Sequence, residues 1–265
     1  MSAARIITER QGHVLHIRIN RPEVRNALCP QTYHELSLAL DELEQDPQLW
    51  LGVLTGAGEQ AFSAGRDLKQ LASMAEASAA EQEAERQLWS RTRRLTDRFE
   101  FSKPLIARLN GSAHGGGLEL ALACDIIVAA EHAQLALPEP RRGLIATAGG
   151  VHRLPRQIGL KAAMGHLLTG RPMSAQRGYE LGLVNQVVPA AELDQAVSSW
   201  VDDILACAPL AVRATKACAM QGLDMPLPQA VSHQYQAEQI RLNSHDSLEG
   251  PRAFAQKRQP RWTGT

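Results

Sequence analysis

Between Val14 and Ile19 the apolar residues Val14, Leu15, Ile17 and Ile19 are interrupted by polar ones, and Asn20-Arg21-Pro22 closes the run. This pattern predicts a strand that delivers a loop. After Pro30 the apolar residues Tyr33, Leu36, Leu38, Leu40 and Leu43 fall at roughly helical spacing, and Trp50 to Leu54 form a second apolar run ending at Gly56. The expected unit is strand, helix, strand. The stretch Ala72 to Arg98 is rich in Ala, Glu, Gln and Arg, which predicts one long surface helix with a solvated charged face. A further strand is expected over Pro104–Leu109, running into Asn110-Gly111 and a glycine cluster. A buried helix follows through Leu118, Leu120, Ala121, Leu122 and Ala123, and then a strand over Asp125–Ala130. Strands alternating with helices, with glycine-rich loops at strand ends, describe an α/β protein whose site lies at one edge of its sheets. Beyond about Ala206 the pattern turns almost wholly helical, which divides the chain into 1–205 and 206–265 with no flexible linker between them.

At 265 residues and 44% hydrophobic, the chain has material for one substantial core with a smaller appendage. Formal net charge is zero, which argues against a nucleic-acid or membrane-surface binder, since those need a basic surplus. The four cysteines, Cys29, Cys124, Cys207 and Cys218, show neither zinc-type spacing nor disulfide density. They read as reduced thiols in a cytoplasmic protein. No histidine pair has metal-ligand spacing, so no metal site is expected. The N-terminal residues lack a long hydrophobic stretch and no run reaches membrane length, so neither a signal peptide nor a span is expected.

The chemistry concentrates in Gly115-Gly116-Gly117-Leu118-Glu119 and in Leu137-Pro138-Glu139. Glycines opening a helix present bare N–H groups at the positive end of its dipole, a setting that can hold a developing oxyanion. Two glutamates near such a site suit proton transfer beside a carbonyl. Singly, each feature has a plainer reading: a Glu in a first helical turn is favourable anyway, and glycines mostly serve turns. Their joint order reverses that.

With Asn20-Arg21-Pro22-Glu23-Val24-Arg25-Asn26-Ala27-Leu28, Ala61-Phe62-Ser63-Ala64-Gly65-Arg66-Asp67-Leu68 and the tail Glu249–Arg258, these segments closely resemble the enoyl-CoA hydratase/isomerase, or crotonase, family over almost the whole chain. The resemblance implies a spiral of repeated β-β-α units, followed by a helical C-terminal region that packs between subunits and covers coenzyme A. It implies an acyl-CoA thioester substrate, with coenzyme A as part of that substrate and no separate cofactor. It also implies a homo-oligomer, a trimer or a pair of trimers.

Position by position, the family's two oxyanion donors fall on the backbone N–H groups of Ala64 and Gly116. Glu119 and Glu139 match both glutamates of the hydratases. Adding water across a C2–C3 double bond needs a base for the water and an acid for C2; Glu119 is assigned to the water and Glu139 to the C2 proton. Gly65 and Leu68 belong to the substrate-binding oxyanion loop. Within it, Asp67 is expected to fix backbone geometry. Val24 and Arg25 align with a loop beside the nucleotide and pantetheine, and Phe254 and Lys257 with tail positions near the adenine, often of a neighbouring subunit. Arg25 and Lys257 also read as solvated charges.

Two departures bear on the acyl group. Arg66 occupies a variable position, and Pro140-Arg141-Arg142-Gly143-Leu144-Ile145-Ala146 carries more arginines than many relatives and lacks their Pro near Ala146. An arginine facing the acyl pocket would hold a distal carboxylate, as in a glutaconyl-type substrate; facing outward, it would meet solvent or a phosphate. The segments Phe62–Lys69, Leu135–Glu139 and Lys257–Trp262 also resemble carnitinyl-CoA dehydratases. The alternatives are therefore double-bond isomerisation, carnitinyl-CoA dehydration and, from another class, RNA binding or assembly without catalysis. A serine hydrolase lacks its Gly-x-Ser-x-Gly elbow and a nicotinamide dehydrogenase its Gly-x-Gly-x-x-Gly.

Overall fold

The structure of the protein, a computed structural model, describes residues 4–265; Met1–Ala3, the start of the segment expected to carry no signal peptide, lie outside the described residues. Strand β1 (Ile6–Gln11) turns at Gly12 and pairs antiparallel with β2 (Val14–Ile19). Helix α1 (Pro30–Gln45) leads to β3 (Leu51–Gly56) and the short β4 (Ala61–Ser63). After α2 (Leu68–Ala75) and α3 (Ala79–Ser90) the chain repeats the move with β5 (Leu105–Leu109), β6 (Ser112–His114) and α4 (Gly116–Leu122). It repeats it again with β7 (Ile126–Ala130), β8 (Gln134–Ala136), α5 (Gly150–Ile158) and α6 (Leu160–Thr169). Strand β9 (Met173–Ser174), α7 (Ala175–Glu180), β10 (Gln186–Val188) and α8 (Leu193–Leu205) complete the core. Helices α9 (Pro209–Gly222), α10 (Leu227–Ser232), α11 (Gln236–Leu242) and α12 (Asp246–Ala255) follow.

Each turn of this spiral gives one strand to each of two sheets. The larger runs β1-β2-β3-β5-β7-β10, parallel except for the opening hairpin; the smaller runs β4-β6-β8-β9. Period-two alternation explains how the larger sheet is buried on both faces. Leu15, Ile17, Leu54, Leu105 and Ala107 point to the main core under α1 and α4. Val14, Leu51, Val53, Ile106 and Val128 point the other way, against Leu193, Val197 and Val201.

The expected strands at 14–19, 104–109 and 125–130 are present within a residue of their limits. The single helix expected over Ala72–Arg98 is corrected: α2 ends at Ala75, α3 spans Ala79–Ser90, and a 3₁₀ turn occupies Leu95–Asp97. The break has a local cause. Ser78 caps α3 in a reciprocal box, accepting from the Glu81 N–H while Glu81 accepts from the Ser78 N–H, and a cap of this kind outweighs the helix propensity of its neighbours. Among the described residues no helix is long and apolar enough to cross a membrane.

Candidate active site

Three loops meet where the smaller sheet ends. The start of β4 is pinned from two sides by buried asparagines: Asn26 Nδ2 donates to the Ala61 carbonyl at 2.7 Å and Asn110 Nδ2 to the same oxygen at 3.0 Å. Ser63 donates its hydroxyl to the Asn26 carbonyl and accepts from the Gly65 N–H. Gly65 then turns with φ of +83°, and a β-carbon there would lie 2.5 Å from the His114 carbonyl and 2.8 Å from the Gly116 nitrogen. Only glycine fits that crossing. It brings the segment after β4 against the start of α4.

One expected oxyanion donor is corrected here. The Ala64 N–H is committed to the Arg25 carbonyl at 2.9 Å, an acceptor exposed by the left-handed backbone at Arg25 and Asn26. The next residue but one, Arg66, has an N–H with no acceptor among the described residues, because the neighbouring bridge to Leu28 uses the Gly65 carbonyl and the Asp67 N–H. Gly116 opens α4, where an N–H has no intrahelical partner. A β-carbon at Gly116 would lie 3.6 Å from the Arg66 nitrogen. The adjacent pair of free donors is therefore Arg66 and Gly116. Ala64 remains in the cleft as a small exposed side chain on its wall.

The cleft encloses about 420 Å³ and is lined by both glutamates together with Ala64, Arg66, Leu68 and Gly116. Glu119 rides on the first turn of α4 and is 4% exposed. Its Oε1 accepts from the Gly150 N–H at 2.9 Å. Burial pushes its carboxyl up to about 7 against that bond, and the Glu139 charge adds to the rise. Glu139 enters from the 3₁₀ turn after β8. Burial raises it too, with the Arg142 charge opposing, and its Oε2 is buried without a hydrogen-bond partner. Two carboxyls with elevated proton affinity thus share one cleft, the arrangement general acid–base chemistry needs near neutrality.

Asp67 faces away from this chemistry. It caps α2 through the Gln70 N–H and pairs with Arg21 at 3.0 Å. Val24 and Arg25 lie on an adjacent stretch, with Arg25 lining a separate groove beside Pro22 and Gly58. Phe254, 88% exposed, and Lys257 sit at the end of α12, outside the cleft lining. Of the three arginines singled out in the sequence, Arg66 and Arg142 line the cleft, whereas Arg141 donates to the Thr169 carbonyl and does not.

Two lining residues carry no signal in the sequence. Tyr33, read there as an apolar position of a helix, presents a hydroxyl with no hydrogen bond to any described residue; it would lie 2.9 Å from a β-carbon at Gly116. Burial holds its phenol above the ordinary value, so it stays a donor. Arg94, hidden in the supposed long helix, reaches the same wall from the turn before Leu95.

The model of the enoyl-CoA hydratase/isomerase family matches residues 9–265. The carnitinyl-CoA dehydratase of Proteus mirabilis (strain HI4320) is 39% identical over 270 residues, covering 100% of both chains. The (E)-benzylidenesuccinyl-CoA hydratase of Thauera aromatica is 36% identical, over 98% of this chain and 99% of its own. Among solved structures, an enoyl-CoA hydratase from Mycobacterium tuberculosis H37Rv superposes with a TM-score of 0.88 at 38% identity, over 99% of this chain and 100% of that one.

Proposed function

The chain belongs to the enoyl-CoA hydratase/isomerase family, and from that premise we propose that it is a hydratase in which Glu119 and Glu139 add water reversibly across the C2–C3 bond of a 2-enoyl-CoA. The observation that carries the reading is the pairing of a buried carboxyl, Glu119, and a half-buried one, Glu139, both with raised proton affinity, beside two free backbone donors. The thioester oxygen accepts from the Arg66 and Gly116 N–H groups. Glu119, held by Gly150 through one oxygen, takes a proton from water with the other as the hydroxyl adds to C3. The enolate charge that develops rests on the two donors, and Glu139 delivers a proton to C2. Backbone donors fixed in advance need no reorganisation as that charge appears. The step balances as one water added, and it calls for no group beyond the substrate's own coenzyme A.

Arg25 and the C-terminal residues Phe254 and Lys257 are assigned to the coenzyme A portion, the latter two on a neighbouring subunit. Exposed apolar side chains on the C-terminal helices, among them Leu223, Leu227 and Val231, support a homo-oligomer, and cytoplasmic residence fits the reaction. The test is loss of the conjugated enoyl-thioester absorbance with crotonyl-CoA and longer enoyl-CoAs in water enriched in heavy oxygen. Hydration places solvent oxygen on C3. A shifted double bond without solvent oxygen would make the protein an isomerase instead.

A further inference from the structure

Three arginines, Arg66, Arg94 and Arg142, line the cleft. Arg142 lies on the Glu139 side, where its charge and that of Arg25 both oppose protonation of His114. Arg94 lines the same cleft, where Glu119 and Tyr33 feel its charge. Arg66 and Arg142 have exposed side chains, whereas Arg94 is half-buried. Its guanidinium is also the oriented one. Nε and Nη2 form a two-point bond to Asp97 at 2.7 and 3.0 Å, leaving Nη1 with no partner among the described residues. Behind it Arg153, anchored on the Thr96 carbonyl at 2.8 Å, feels the charges of both Asp97 and Glu119.

The Tyr33 hydroxyl lines the same cleft, also without a hydrogen-bond partner among the described residues, and its phenol feels the Arg94 charge. An oriented guanidinium and a neutral O–H donor in one cleft offer a carboxylate two charge-complementary partners. A quaternary ammonium finds little here. Tyr33 is the aromatic residue of the lining, and the carboxylates in it are Glu119 and Glu139.

We propose that the acyl pocket takes an anionic acyl group, a 2-enoyl-CoA whose chain ends in a second carboxylate bound by Arg94 Nη1 and the Tyr33 hydroxyl. This rests on the hydratase reading for the thioester end of the cleft. The charge-assisted bonds would favour the carboxylate about 10- to 100-fold over a methyl group at the same position.

The experiment uses matched pairs that differ only at the chain end, so that every contact to coenzyme A cancels. Hydration is compared for 2-hexenoyl-CoA and 2-hexenedioyl-CoA, and binding by calorimetry for the saturated hexanoyl-CoA and adipyl-CoA, which cannot be hydrated. The proposal expects the dicarboxylate member to win both comparisons by tenfold or more. In Arg94→Gln the ratio of kcat/KM between the pair should fall at least tenfold, mostly through KM, and Arg94→Lys should restore part of it. Equal hydration and equal binding within each pair would overturn the anionic pocket while leaving the hydratase standing. Hydration of neither enoyl-CoA, with adipyl-CoA still bound more tightly, would overturn the hydratase and keep the pocket. An equal loss for both pair members in Arg94→Gln, with no change in their ratio, would overturn the role of Arg94.

Discussion

Gly150 donates its backbone N–H to Glu119 Oε1 at 2.9 Å, and so the first residue of α5 fixes a carboxyl carried by α4. Glycine leaves room for the contact, since a β-carbon at position 150 would lie 3.1 Å from Glu119 Cγ and 2.9 Å from Leu137 Cδ1 and would push both side chains aside. One oxygen is held and the other is left for the cleft.

Gly150→Ala should therefore displace Glu119 and lower kcat about 10- to 100-fold, the usual effect of a misplacement near 1 Å. Steady-state kinetics with a hydrated substrate, alongside circular dichroism to verify folding, would check it. Unchanged kcat would mean that the carboxyl is positioned by other contacts.

Glu119→Gln and Glu139→Gln should each reduce hydration by about 100- to 10,000-fold, the range of a single general acid or base. Because both serve one addition as a unit, the double variant should be little worse than the poorer single variant. Multiplied losses would show the two carboxyls acting independently.

The Glu119 carboxyl, at about 7 against an ordinary 4.5, links rate and stability in opposite senses. As a base for water it must be ionised, so kcat/KM should climb as pH rises through about 7. The sign for stability is reversed: a folded-state value above the unfolded one favours the fold below about 4.5 and is lost as pH rises through 7. Glu119→Gln should thus be more stable than the parent at pH 8, by about 1–3 kcal/mol, and closer to it at pH 4. Thermal or urea unfolding at both values would decide; a variant less stable at pH 8 would refute the linkage.

Gly65→Ala should damage both fold and rate. Its φ of +83° and the contacts at 2.5 and 2.8 Å leave no room for a methyl group, so a loss of about 1–3 kcal/mol is expected from the backbone. Disturbing an oxyanion donor should lower kcat about 100- to 1,000-fold. Ala64→Gly keeps the N–H bonded to Arg25 and should leave the donor pair intact, a contrast readable in the same assay.

At the other end of the chain, Glu249 accepts two bonds from Arg258 and one from the Arg261 N–H, and these hold its carboxyl down to about 2. A lowered carboxylate contributes stability above about 4.5 that disappears as pH falls toward 2. Glu249→Gln should lose that contribution at neutral pH and flatten the acid limb, and limited proteolysis should cut earlier after Arg258. An unaltered acid limb would show that the tail is fastened elsewhere.

The strands were legible where burial is written in the local pattern, as at Val14–Ile19. Strand β1 was not, since only Ile6 of Ile6–Gln11 is buried and its outer face is polar. The break at Ser78 hid in a stretch whose average propensity is helical. The two glutamates could be located from motif order, yet motif order could not say which N–H of the oxyanion loop is free. That depends on Ala64 meeting Arg25, a partner distant in sequence. Tyr33 and Arg94 were illegible for the same reason: each sits in a helical context, and only the fold turns it toward Glu119.

The Ala61 carbonyl shared by Asn26 and Asn110 has a wider consequence. It ties the thioester end of the cleft to the loop after β2 and to the end of β5, whereas Arg94 arrives on the excursion that runs through α2 and α3 and belongs to neither sheet. The reacting end and the arginine proposed to bind the acyl carboxylate are thus carried by separate pieces of chain. New side chains on that excursion could redirect the protein toward another acid while the machinery for water stays where it is, a division that lets one scaffold explore many thioesters by small local edits.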